Sequence, residues 1–115
     1  MLRLTSTQEY ALLRQSSFKV IGKYFIIVYI QDSLLVEAVA GITVSRKVGN
    51  AVTRNFVKRR VKAFLRDYLL PQGSPIFKCN IIALPSVISA DWLSICKDLE
   101  ICFQRILKSL KKDSS

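Results

Sequence analysis

A chain of 115 residues has the length of one domain, and a hydrophobic content of 50% supplies enough apolar surface for a core, which excludes intrinsic disorder. Its 18 Lys plus Arg against 8 Asp plus Glu leave a net charge of +10, so the expected partner is a polyanion, nucleic acid ahead of an anionic membrane surface. Histidine is absent, which excludes His-based acid–base catalysis, Ser-His-Asp and Cys-His nucleophiles and histidine metal ligands.

In chain order, the first residues carry no apolar signal-peptide region. Ser6 or Thr7 caps a short predicted helix that runs to about residue 15, with Glu9 in its first turn and Tyr10 and Leu13 on its apolar side. Residues 18–30 turn β-branched and aromatic, and 23–30 reads as a buried strand. That apolar run stops at Gln31-Asp32, well short of the roughly 20 residues of a membrane span, so no membrane partner is expected. After a turn at 31–33, residues 34–45 form a second strand or strand pair, in which Gly41 marks a bulge or a close backbone approach.

Val48, Gly49 and Asn50 close that strand and open a long helix over about 51–69. Pro71, Gly73 and Pro75 punctuate a loop, and 80–84 is a short apolar strand ended by Pro85. Ser89 caps a final helix, about 90–110, with Asp91 in its first turn. Trp92, Cys96, Leu99, Cys102, Phe103, Ile106 and Leu110 recur there at three- and four-residue steps, a stripe that faces the core, and 111–115 reads as a frayed tail. The order αβββαβα is that of an α+β fold, a two-layer αβ sandwich, in one domain over 1–115. Cys79, Cys96 and Cys102 form no CxxC pair and are odd in number; they read as buried reduced thiols, which points to the cytoplasm.

The chemistry concentrates on the central helix. Eight of the 18 basic residues lie from Arg46 to Arg66, and no acidic residue falls between Ala38 and Arg66. On a wheel of about 100° per residue, Val57, Val61, Phe64 and Tyr68 share the buried side, with Leu65 at its edge. Nearly opposite stand Asn55, Lys58, Arg59, Lys62 and Arg66; Arg54 sits on the near flank, and Arg60 points to the far one. A solvated face normally mixes signs, because like charges at i,i+4 repel by about a few tenths of a kcal/mol. Lys58–Lys62 and Lys62–Arg66 accept that repulsion with no carboxylate between them, as an anion-binding helix would. Arginine forks suit phosphate oxygens, and the backbone N–H groups at Gly49-Asn50 can meet them too. No GxxxxGK[ST] sequence is present, so this is not a P-loop.

Over residues 41–62, where a strand runs into Arg46-Lys47, Gly49-Asn50-Ala51-Val52, Arg54-Asn55 and Lys58-Arg59-Arg60, the chain closely resembles the protein subunit family of bacterial ribonuclease P. Weaker agreement extends to both ends. The resemblance implies an endoribonuclease whose large RNA subunit performs the chemistry with Mg2+, while the protein supplies no catalytic residue and holds no cofactor. The protein would bind that RNA subunit and the single-stranded 5′ leader of precursor tRNA, assisting removal of the leader. A left-handed βαβ crossover is implied as well, against the general right-handed rule.

Residue by residue, Arg54, Asn55, Lys58, Arg59 and Lys62 match the family's RNA-contacting helix positions, and Arg46 and Lys47 match a basic pair before it. With Asn50 and Arg66 they make up the expected RNA surface, while Tyr10 and Val28 match positions that line the leader-binding cleft. This chain departs from the family pattern at Phe56 and Lys62, each in place of arginine, and at Ala63, Val39 and Arg14. The alternative class is a non-catalytic protein that binds structured RNA, of ribosomal or assembly type. A free-standing protein nuclease fits poorly, since the eight carboxylates are scattered.

Overall fold

The computed structural model describes residues 2–3, 18–30, 39–69 and 77–113. A two-residue strand, β1 (Leu2–Arg3), comes first. The strand expected over 23–30 is present as β3 (Phe25–Ile30), and the residues before it form a further strand not expected, β2 (Phe18–Ile21), antiparallel to β3 in a hairpin. Gly22 makes the break: its N–H donates to the Phe25 carbonyl at 2.8 Å. A side chain there has no room, because a Cβ would lie 2.7 Å from Cys102 Sγ and 2.8 Å from both Asp98 carboxylate oxygens.

Next come β4 (Val39–Val44), α1 (Ala51–Phe64), a π-helical turn (Leu65–Leu69), β5 (Lys78–Ala83), a 3-10 turn (Pro85–Ser89) and α2 (Trp92–Asp113). The strands form one mixed sheet in the order β1-β4-β5-β3-β2. β1, β4 and β5 are mutually parallel neighbours, and β3 runs antiparallel to β5. The β4–α1–β5 unit is the parallel connection to which the left-handed crossover of the resemblance would apply. Gly41 marks no bulge: the β4–β5 register runs unbroken from Val39↔Lys78 through Gly41↔Asn80 to Val44↔Ala83.

Period-two alternation decides which side of the sheet is buried. Val20, Phe25, Ile27, Tyr29, Ala40, Val44, Cys79, Ile81 and Ala83 face the helices. α1 answers with Val57, Val61 and Phe64, and α2 with Ile95, Leu99, Cys102, Phe103 and Ile106. α1 lies against β4, and α2 lies against β2 and β3, so both helices cover one face and the fold is the two-layer α+β sandwich. Aromatic contacts extend this core: Phe64 stacks on Phe103 at 6.1 Å and on Tyr68 at 5.0 Å between ring centroids.

Two helix ends differ from expectation. Ser89 belongs to the 3-10 turn, where its hydroxyl donates to the Ser86 carbonyl. The cap of α2 is Asp91, which accepts from the Ser94 N–H at 2.9 Å. Asp91 is the better cap because its carboxylate is both acceptor and charge at the positive end of the helix. At the other end α2 continues through Asp113, taking in most of the segment read as a frayed tail. The predicted first helix, the turn at 31–33, the start of the second strand region and the Pro71–Gly73–Pro75 loop lie outside the described residues.

Candidate nucleic-acid interface

The start of α1 is built by three consecutive residues. Val48 is fully buried and its N–H donates to the Ser45 carbonyl, closing a turn that leaves Arg46 and Lys47 exposed. Gly49 has a φ of 157°, and a Cβ there would crowd the Thr53 side chain at 3.1 Å, so glycine lets the chain enter the helix. Asn50 then caps α1 by accepting from the Thr53 N–H at 2.9 Å. Its amide oxygen is therefore engaged in the cap, and the amide N–H2 is the donor that remains to meet a phosphate. The first turn holds no acidic residue, so the positive end of the helix dipole is uncompensated by the chain itself.

Along the helix, Asn55 and Arg59 are exposed and Lys58 and Lys62 half-buried, on the side opposite buried Val57, Val61 and Phe64. Lys and Arg stems can lie on apolar surface while the charged heads stay in water, which keeps all four groups available. Arg54 is half-buried on the flank, and its Nε finds no acceptor among the described residues. Arg66 is exposed. It falls in the π-helical turn, which advances fewer degrees per residue than an α-helix, and its Nε contacts Asp67 Oδ1 at 3.3 Å. Both partners are more than two-thirds exposed, so the pair is weak and Arg66 can exchange its carboxylate for another anion.

The second candidate surface is the sheet face away from the helices. Val28 lies there and is only 7% exposed, so it is a covered position rather than an open contact. The register sets it in a row with Lys19 on one side and Asn80, then Gly41, on the other. Asn80 is the one buried polar side chain among the described residues, and its Oδ1 accepts from the Thr43 hydroxyl at 3.1 Å. Lys19, Thr43 and Asn80 are polar groups of this face that the sequence did not single out, because row neighbours are known only once strand pairing is known. Tyr10, the other cleft residue, lies outside the described residues.

Other chemistry is sparse. Burial pushes the Cys79 thiol up to about 12 and the Cys102 thiol up to about 11, so both stay protonated. Hydrogen bonds from Ser94 hold the exposed Asp91 carboxyl below its ordinary value. Among the described residues no group of three or more Cys, Asp or Glu side chains could hold a metal ion, and no helix is long and apolar enough to cross a membrane.

Comparison with known proteins bears on the whole chain. The family profile described as Ribonuclease P matches residues 1–107. A "Ribonuclease P protein component" of Streptomyces avermitilis is 44% identical over 70 residues, 59% of this chain and 54% of that protein. The chain thus spans about half the length of that relative. The corresponding component of Citrifermentans bemidjiense is 31% identical over 109 residues, covering 92% of this chain and 89% of the relative. Among solved structures, the Staphylococcus aureus RNase P protein superposes with a TM-score of 0.84 at 21% identity over 92% of this chain and 95% of that one. The Thermotoga maritima RNase P protein gives 0.78 at 21% identity, over 95% and 97%.

Proposed function

Since the chain belongs to the ribonuclease P protein family, we propose that it is the protein subunit of the ribonucleoprotein endonuclease that removes the 5′ leader of precursor tRNA in the cytoplasm. The observation that carries the reading is the carboxylate-free basic surface running from Arg46 and Lys47 along Asn55, Lys58, Arg59 and Lys62 of α1, on the side opposite the core. Its spacing suits a polyphosphate backbone: the Asn55 amide at i and three cations, Lys58, Arg59 and Lys62, at i+3, i+4 and i+7 on one helix face, beginning beside a helix N-terminus. The large RNA subunit occupies this face. That RNA would use Mg2+ in cleavage, and the protein positions RNA without supplying a catalytic side chain.

The far face of the sheet, with Lys19, Val28, Thr43 and Asn80, together with Tyr10, takes the single-stranded leader. Hydrogen-bonding groups in a row across strands, next to a lysine, suit an extended strand whose bases are unpaired. Because Val28 and Asn80 are both covered, Lys19, Thr43 and Tyr10 make more of the contact than they do. The deciding experiment is cleavage of precursor tRNA by the cognate RNA subunit at low magnesium, with and without the protein. Stimulation with a lowered magnesium requirement is expected. Tight RNA binding with no stimulation would replace this reading with that of a non-catalytic structured-RNA-binding protein. Tyr10→Ala is expected to reduce the preference for tRNA that carries a leader; equal losses for mature tRNA would remove Tyr10 from the cleft.

A further inference from the structure

On the flank of α1 beside the basic stripe, a groove of about 220 Å³ opens between that helix and the start of α2. Phe56 and Arg60 form one lip, Ile88, Asp91 and Trp92 the other, and Val57 is part of the floor. Phe56 is 53% exposed and Ile88 56%, which leaves apolar surface open in the middle of a cationic neighbourhood. The Arg60 guanidinium lies over both rings, 4.4 Å from the Phe56 centroid and 4.9 Å from that of Trp92. Yet its Nε is buried and finds no acceptor among the described residues. A buried donor without a partner is costly, so the Arg60 side chain is short of an acceptor. Across the groove, the Asp91 carboxylate is an acceptor for a donor that an occupant brings.

The complementary occupant is flat and aromatic, carries acceptors and donors on its edge, and arrives on an anionic chain. We infer that the groove captures one unpaired base of the RNA subunit, stacked on Phe56 and hydrogen-bonded at its edge by Arg60. Charge favours RNA over a peptide on the α1 lip, where Arg59 is three residues from Phe56 and no acidic residue lies between Ala38 and Arg66. Asp91 is the one carboxylate lining the groove and suits the amino edge of a base rather than a phosphate. The RNA subunit is the source, not the leader: the groove opens on the helical layer, whereas the row through Val28 lies on the other face of the sheet. The inference rests on α1 being the RNA-binding helix, and the test separates the two.

Trp92 is the single tryptophan, so its fluorescence reports on the groove directly. The transcribed RNA subunit should quench Trp92 emission on binding, whereas a fully paired RNA duplex should bind without quenching it. Phe56→Leu keeps an apolar side chain but removes the ring. It should lower affinity for the RNA subunit about 5- to 150-fold, the range expected for one base–aromatic stack. The log–log salt slope should stay unchanged, because stacking releases no counterions. Phe56→Tyr should bind like the parent. Equal quenching by duplex and RNA subunit, no quenching by either, or undiminished affinity in Phe56→Leu would overturn the base-capture site while leaving α1 as the RNA-binding helix. Salt-independent or absent binding of the RNA subunit by the parent protein would overturn that reading of α1 itself.

Discussion

Asp98 is a small instance of how one side chain holds two layers together. Its two carboxylate oxygens accept from the backbone N–H groups of Lys23 and Tyr24, each at 2.8 Å, and so tie the β2–β3 turn to α2. Asp98→Ala leaves both donors unpaired and is expected to cost about 1–3 kcal/mol in urea unfolding, with Asp98→Asn losing less. Gly22→Ala should destabilise through the same contact, since its Cβ would enter the space of Cys102 and Asp98. The thiols are graded by burial: a maleimide should modify half-buried Cys96 first, and Cys79 and Cys102 only after unfolding, as mass spectrometry of the labelled peptides would show. Asp91 carries a pH dependence. Its folded-state value is lowered from 3.8, so its capping contribution is complete above that value and is lost as pH falls through the lowered one. Replacing it by serine should flatten the acid side of the thermal-stability profile, because a hydroxyl cap does not titrate there.

Elements differ in how much of them could be read in advance. α1 was legible because its period is uniform: buried Val57, Val61 and Phe64 define one side, and the basic stripe is what remains opposite. The change of period at the π-helical turn that carries Arg66 was not legible, because no residue type marks it. The hairpin of β2 and β3 was not legible, because residues on both faces are apolar and the reason for Gly22 is a helix some 75 positions away. Ser89 was the expected cap and Asp91 is the actual one; both residue types cap helices, so the residue type alone does not rank them. The Phe56–Arg60–Trp92 cluster joins two helices, so only the wheel's placement of Arg60 on the far flank pointed towards it. For α1 itself, Asn50→Ala removes the acceptor for the Thr53 N–H. A loss of about 1 kcal/mol is expected, read as a lowered urea midpoint at unchanged slope.

At the scale of the molecule, half of the composition builds the sandwich and half of the excess positive charge, five basic residues with no acidic one, is mounted on α1. The two surfaces proposed to meet RNA are separated by the sheet: α1 on one side, the row of Lys19, Val28 and Asn80 on the other. Such a layout lets one small protein touch two RNA segments at once. Its central claim is that the α1 stripe, and not net charge as such, holds the RNA subunit. The direct measurement is affinity for the transcribed RNA subunit as a function of salt, for the parent, for Lys58→Ala/Arg59→Ala, and for Lys97→Ala/Lys108→Ala on the exposed side of α2. Both double variants lose the same charge. With about four phosphates contacted, the parent's log–log slope should be roughly −3 to −4. The α1 variant should bind more weakly with a slope shallower by about 1.4–1.8, while the α2 variant stays close to the parent. Equal effects of the two variants, or an α1 variant with the parent's affinity and slope, would contradict the account.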